Sequence, residues 1–251
     1  MSITRVADGQ WHAVDEDLGR VVGRTDAEHR PDGRLFVSID AWHDAVFDRL
    51  AEVLVAELPA PLYTVVDEAD ADLTECWRRA GFTVGRRELE YLVPTDLRVT
   101  GLGEALPPSG VAIVPAGEVD EGLLRAVDRA VRAEVEATLG WQSMPAEVIA
   151  RSEDGVIGDL SMYAVAAAPD RYLGLIRVEA VNQPRIGLVA VRAGEQRRGI
   201  ARALLAHALG TLHRSGVAEV WLEVHESNQP ALALLEGLGV RSGSSNVELV
   251  R

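Results

Sequence analysis

Residues Arg185 to Val240 read RIGLVAVRAGEQRRGIARALLAHALGTLHRSGVAEVWLEVHESNQPALALLEGLGV. In order, this is a short apolar run, a bend rich in Gly and Arg, a helix, a second apolar run and a second helix. The bend is Gln196-Arg197-Arg198-Gly199-Ile200-Ala201. Small residues let a backbone come close to a ligand. A helix that opens at such a bend offers unpaired N–H groups and the positive end of its dipole, a combination that suits phosphate. Arg197, Arg198 and Arg202 add charge-assisted donors. On physical chemistry alone the segment is a diphosphate cradle at a strand-to-helix junction. The plainer alternative is a Gly-containing helix start with solvated Arg side chains. The helix itself places Ile200, Leu204, Leu205, Ala208 and Leu212 on one face, which is core packing.

Working outward, 251 residues suffice for one large domain or two small ones. Hydrophobic content of 47% and charged content of 25% are those of a globular chain. The net charge of −14 disfavours a nucleic-acid or anionic-membrane partner and favours basic or amine-bearing ones. The charge is uneven: the part before Val111 carries −10 and the rest −4. The less negative part is the one proposed to hold a polyanion. All 25 basic residues are Arg, alongside abundant Ala, Val and Gly, a bias that a GC-rich genome explains. The single Cys76 excludes an internal disulfide and fits a reducing compartment. MSITRVADGQW lacks the apolar core of a signal peptide, and no apolar run approaches membrane-spanning length. A cytoplasmic protein is expected.

The remaining chain reads as alternating elements. Residues 10–40 form a short antiparallel meander with a turn at Arg30-Pro31-Asp32-Gly33. Val46, Leu50, Val53, Leu54 and Leu58 recur at helical spacing until Pro59. A strand, LYTVVDE, a helix closed by Gly81 and a strand around Leu89–Val93 follow. Residues 62–82 align without a gap on 220–240, so that Glu68 meets Glu226 and Gly81 meets Gly239. At the same offset Glu90-Tyr91-Leu92-Val93 meets Glu248-Leu249-Val250-Arg251. This regularity indicates two copies of one architecture; chance likeness of two strand–helix units is the alternative. The first copy's bend, Ala41 to Asp48, has no Gly and carries Asp44 and Asp48, which would repel a diphosphate. That copy also lacks room for an opening strand and helix pair. It reads as degenerate and non-binding. Pro- and Gly-rich residues 94–110 read as a linker. After it come a strand at Val111–Pro115, an amphipathic helix over Glu118–Leu139, a break at Trp141–Met144, a short helix near Glu147–Arg151 and a hairpin around Ala168–Arg171.

Gln-x-x-Gly-x-Ala after a strand, followed by LEVHESNQPALALLEGLG, resembles the acetyl-CoA-binding core of the GCN5-related N-acetyltransferases (GNATs). The second piece is especially similar to the ribosomal-protein N-terminal acetyltransferases. The resemblance is good over residues 185–240 and fair over about 111–251. It implies an α/β (α+β) fold of two tandem acetyltransferase-like domains, each a mixed, mostly antiparallel sheet flanked by helices, the first truncated. A silent half occurs in such tandems, as in the mycothiol synthases that the layout resembles. The expected division is 1–93, a degenerate domain; 94–110, a linker; and 111–251, the acetyl-CoA-binding domain.

The resemblance further implies direct transfer of an acetyl group from acetyl-CoA to a primary amine in a ternary complex, with no metal. The amine belongs to a small molecule or, in second place, to a protein N-terminus; oligomeric state is left open. The strand carrying Leu188, Val189 and Val191 would pair with the pantetheine arm, although these side chains equally suit a core strand. Gln196, Arg197, Arg198, Gly199, Ile200, Ala201 and Arg202 would hold the diphosphate. Strand alternation puts Trp221, Glu223 and His225 on one face. Glu223 matches the general base, and His225 is a backup with an ordinary pKa near ~6.5. Asn228 matches a pantetheine ligand; a helix cap is its alternative role, in competition with Ser227. Trp141, Gln142 and Met144 would line the acceptor. The family's usual Tyr acid is here Leu235, which keeps open a second reading as a non-catalytic acyl-CoA-binding sensor or interaction module.

Overall fold

The computed structural model describes residues 1–30, 32–138, 159–179 and 183–251. The chain divides into two compact units, Met1–Glu88 with Ser244–Arg251, and Leu89–Gly243.

In the first unit, β1 (Ser2–Ala7), β2 (Gln10–Asp15), β3 (Arg20–His29) and β4 (Leu35–Ala41) form an antiparallel meander. α1 (Asp44–Glu57) crosses over to β5 (Leu62–Asp67), which lies parallel to β4. α2 (Ala71–Arg79) then leads to β6 (Thr83–Pro94). Helical spacing of Val46, Phe47, Leu50, Ala51 and Leu54 buries one face of α1. The core also takes Trp11, Trp77 and Phe82. Trp77 meets Phe47 and Phe82 edge-on at 5.0 and 4.7 Å. Of the opening strand and helix pair for which the sequence leaves no room, the strand is present as Ser2–Ala7, joined to β2 by a tight turn at Asp8-Gly9. Between its first two strands the unit lacks only the helical insertion.

The second unit holds the end of β6, β7 (Ala112–Val114), α3 (Glu121–Glu136), β8 (Tyr163–Ala168) and β9 (Arg171–Glu179). These are followed by β10 (Arg185–Val191), α4 (Ile200–Arg214), β11 (Glu219–His225) and α5 (Gln229–Glu236). Its strands run in the order β6-β11-β10-β9-β8-β7. β7 to β10 are antiparallel neighbours, and β10 meets β11 in parallel. α4 and α5 cover one face through Leu204, Leu205, Leu209, Leu235 and Leu238. α3 covers the other through Leu124, Val127 and Val131. Each unit is thus the mixed, mostly antiparallel sheet with flanking helices that the resemblance implies.

The last strand, β12 (Ser242–Val250), pairs with β5 from Asn246–Asp67 to Val250–Tyr63. Val247 and Leu249 enter the first core, while Tyr91 and Val93 enter the second. These segments correspond in the internal repeat, so the copies have exchanged their final strands. That exchange is why the compact units do not follow the expected 1–93, 94–110 and 111–251 division. Residues 94–110 are also no loose linker: the Thr95 N–H donates to the Ala218 carbonyl at 2.9 Å, and Leu102 is 1% exposed.

The exchange sets an expectation for stability. Leu249→Ala opens a cavity in the first unit and is expected to cost about 2–5 kcal/mol, read by urea titration. Amide exchange should show lost protection in β5; loss confined to α4 would contradict the assignment of β12.

Candidate functional site

Among the described residues, pairing between β10 and β11 is limited to Arg185 with Trp221. Beyond that point the strands part, while β10 stays paired to β9 as far as Val191–Gly174. The register of β10 shifts between Ile186 and Leu188, a bulge at Gly187. A Cβ at Gly187 would lie 2.6 Å from Glu179 Oε1 and 2.9 Å from Arg177 Nη2, so a side chain there would push the ends of that ion pair aside. Leu188 packs toward α3, and Val189 and Val191 toward α4. Their side chains are thereby occupied on both faces, and one backbone edge of β10 is left facing the gap. A backbone edge of this kind demands partners.

At the end of that gap lies the bend. Arg197 has φ +62° and Gly199 φ +87°, the left-handed conformation that reverses the chain into α4. Gly199 caps the helix without any side-chain hydrogen bond, and open space surrounds it. No acceptor among the described residues takes the N–H groups of Gly199, Ile200, Ala201 or Arg202. Ile200 is 1% exposed and contributes only its backbone, whereas Gln196 to Gly199 are exposed. The Arg side chains behave differently from one another. Arg198 pairs with Glu195. Arg202 donates to the carbonyls of Gly101 at 3.3 Å and Gly237 at 3.5 Å. Arg197 has no ion-pair partner among the described residues. Gln196 Nε2 folds back on the Val191 carbonyl at 3.1 Å. The corner is an open set of amide donors with one free cation, chemistry suited to a diphosphate.

On β11, Val220, Leu222 and Val224 are buried against α4 and α5, and Trp221, Glu223 and His225 share the opposite face. The Arg185 guanidinium donates to Glu223 Oε2 and lies 5.3 Å from the Trp221 ring centroid. It holds the carboxylate in one orientation. His225 Nδ1 accepts the Ser227 N–H at 3.1 Å and sits 2.7 Å from Ser227 Oγ. An N–H donor at Nδ1 places the ring proton on Nε2, so the lone pair His225 would use as a base is already engaged. Asn228 does cap α5, its Oδ1 accepting from the Ala231 N–H at 3.3 Å; Ser227, tied to His225, does not compete. The carboxamide nitrogen of Asn228 is left over for a ligand. Leu235 is 3% exposed among Leu238, Leu222 and Val224. Trp141, Gln142 and Met144 lie outside the described residues.

The sequence reading missed several polar residues here. Arg177, Glu179 and Arg185 stand with Glu223 on the α3 face of three adjacent strands. Asp128 and Arg132 of α3 form a further pair at 3.1 Å. Burial pulls the Arg132 guanidinium down to about 10, with Tyr163 opposing and Arg177 adding to the fall. Glu134, also on α3, accepts from Arg192 Nε at 2.7 Å and from the Ala193 N–H at 2.8 Å. It clamps the chain just before the bend. A lone Gly inside an apolar strand was the one available signal for the bulge; Glu134 gave none.

Known proteins bear on this geometry. Residues 130–240 match the acetyltransferase (GNAT) family. The [ribosomal protein bS18]-alanine N-acetyltransferase of Escherichia coli K12 is 51% identical over 51 residues, 20% of this chain and 34% of that protein. The chain therefore spans only about a third of the length of this curated relative. A GCN5-related N-acetyltransferase from Sphaerobacter thermophilus superposes with a TM-score of 0.66 at 21% identity, over 99% of this chain and 82% of that one. A tandem GNAT protein from the clavulanic acid biosynthesis pathway gives 0.67 at 16% identity, over 96% and 82%. The fold is that of the GNAT acetyltransferases, and the segment bearing the cradle matches the family directly.

Because Glu134 is partly exposed, its clamp is worth about 1 kcal/mol after solvent screening. Glu134→Ala should lower stability by that amount in urea titration. Glu134→Gln, which keeps an acceptor oxygen, should recover part of the loss.

Proposed function

We propose that the protein is an acetyl-CoA-dependent N-acetyltransferase of the GNAT family along its whole length, with a degenerate first copy and a working second one. The observation that carries this reading is the free edge of β10 leading straight to four unclaimed amide donors at the start of α4. Acetyl-CoA supplies the activated acyl group as a thioester. The backbone of Leu188 to Val191 pairs with the pantetheine arm, and Asn228 adds its carboxamide nitrogen. Gly199 to Arg202 receive the diphosphate, with Arg197 supplying charge. Glu223 takes the proton of the acceptor ammonium, which must be lost before nitrogen can attack. Arg185 keeps that carboxylate aimed into the site. His225, its lone pair held by Ser227, is secondary. The acceptor is a primary amine on a small molecule, ahead of a protein N-terminus. One cysteine and an acidic surface suit a cytoplasmic setting.

A second reading, a non-catalytic acyl-CoA-binding module, is favoured by Leu235, which cannot give a proton to the departing thiolate. Free-thiol release over a panel of amines separates the two. Turnover that falls about 10²–10⁴-fold in Glu223→Gln, with cofactor binding intact, supports the enzyme. No release from any amine, despite tight acetyl-CoA binding, supports the module.

Calorimetry with acetyl-CoA tests the shared premise. Gly199→Glu puts a carboxylate at the helix start and should weaken binding at least about 100-fold, with thermal melting confirming a folded variant. Native affinity no better than the variant's would defeat both readings.

A further inference from the structure

The floor of the site beside Glu223 has a charge pattern that selects among amines. Across β9, β10 and β11 stand Arg177, Glu179, Arg185 and Glu223, alternating in sign. Arg177 Nη2 is 2.8 Å from Glu179 Oε1, Glu179 lies directly opposite Arg185 in the β9–β10 ladder, and Arg185 contacts Glu223. Their side chains are 15%, 23%, 14% and 14% exposed, so the cluster is largely out of water. Buried donors with no acceptor among the described residues stand here too, Arg185 Nε and Trp221 Nε1 among them. Those two belong to the residues at which β10 and β11 last touch. Buried N–H groups without an acceptor are uncommon and call for one.

We propose that the acceptor is an amine bearing a carboxylate, as in a free amino acid, with Arg185 and Trp221 as the specificity-determining pair. This deepens the acetyltransferase reading and rests on it. The four charges of the floor sum to zero, so a lone ammonium entering it leaves one uncompensated charge in a poorly solvated place, and a polyamine leaves more. A zwitterion keeps the balance. Its ammonium goes to Glu223; its carboxylate lies a few bonds away, within reach of the guanidinium that shares Glu223. Two carboxylate oxygens can take both Arg185 Nε and Trp221 Nε1, whereas an amide carbonyl offers one oxygen.

The test uses the full chain with saturating acetyl-CoA and matched acceptors: phenylalanine, its amide, phenylalanyl-glycine and phenethylamine, with the alanine series beside them. Thiol release is expected with kcat/KM about 10–100-fold higher for the amino acid than for the amine without its carboxylate. Trp221→Phe, which keeps the ring and removes the donor, should shrink that ratio about tenfold through KM rather than kcat. Arg185→Lys, which keeps a charge for Glu223, should shrink it as well. Equal rates for amine and amino acid, or faster transfer to the amide or dipeptide, would overturn the proposal. If no acceptor turns over, calorimetry of phenylalanine or alanine against the CoA-loaded protein decides. Binding of the amino acid over the plain amine leaves the carboxylate site standing and removes only the activity; no binding removes both.

Discussion

Two parallel strands that touch at Arg185 and Trp221 and then separate impose the rest of the second unit's organisation. A parallel pair normally continues its ladder; here the divergence strands one edge of β10. β9 occupies the opposite edge up to Val191, so the strand is rigid on one side and open on the other. Gly187 makes this compatible with a charged floor. Its bulge turns β10, and its missing side chain leaves room for Arg177 and Glu179 to meet above the backbone. α4 then begins where the open edge ends, so strand and helix present unclaimed amides to one continuous path. Glu134 fixes the point at which the two join.

The internal repeat sets a different bend on the same framework. Asp70 and Asn228 occupy equivalent positions, and each caps its helix by accepting the N–H three residues on. Trp77 and Leu235 are likewise equivalent, and both are buried. The helix that follows the fifth strand is thus conserved in mechanics between the copies. The bend before the crossover helix is not. In place of Gly199 and its open amides, the first copy has Asp44 and Asp48, both reaching Arg79, at 3.3 and 3.1 Å. Carboxylates in the first turns of that helix disfavour a phosphate, and an Arg within the chain pairs with them.

Periodicity and local chemistry made most of this legible. The helical spacing from Val46 to Leu54, the alternation of Val220 to Val224 against Trp221 to His225, and Gly199 at a strand-to-helix bend each appear in the structure as the sequence suggests. Strand ownership did not show. Val247 and Tyr91 look alike in their patterns, and nothing local says that each belongs to the other copy's core; that is settled by pairing over long range. The floor charges were hidden for a similar reason. Arg177, Glu179 and Arg185 look like solvated strand residues one at a time, and only the β9–β10 register brings them beside Glu223. Ser2–Ala7 carries little signal because its burial does not alternate: Thr4, Arg5, Val6 and Ala7 are all exposed.

Leu235 finally bears on which proton matters. An α-ammonium has a pKa of about 8 and a lysine-type ammonium of about 10.4, so either is mostly protonated and unable to attack at neutral pH, whereas a thiol of about 8.5 is already a fair leaving group as its anion. At neutral pH the reaction therefore needs a base at the amine more than an acid at the sulfur. The site is built on that side of the balance. Glu223 is oriented by Arg185, while His225 turns Nδ1 to Ser227 and is engaged there. On the proposed reading, a framework that spends its polar contacts on positioning a carboxylate, and has core at the position of Leu235, is organised for deprotonation of the incoming amine.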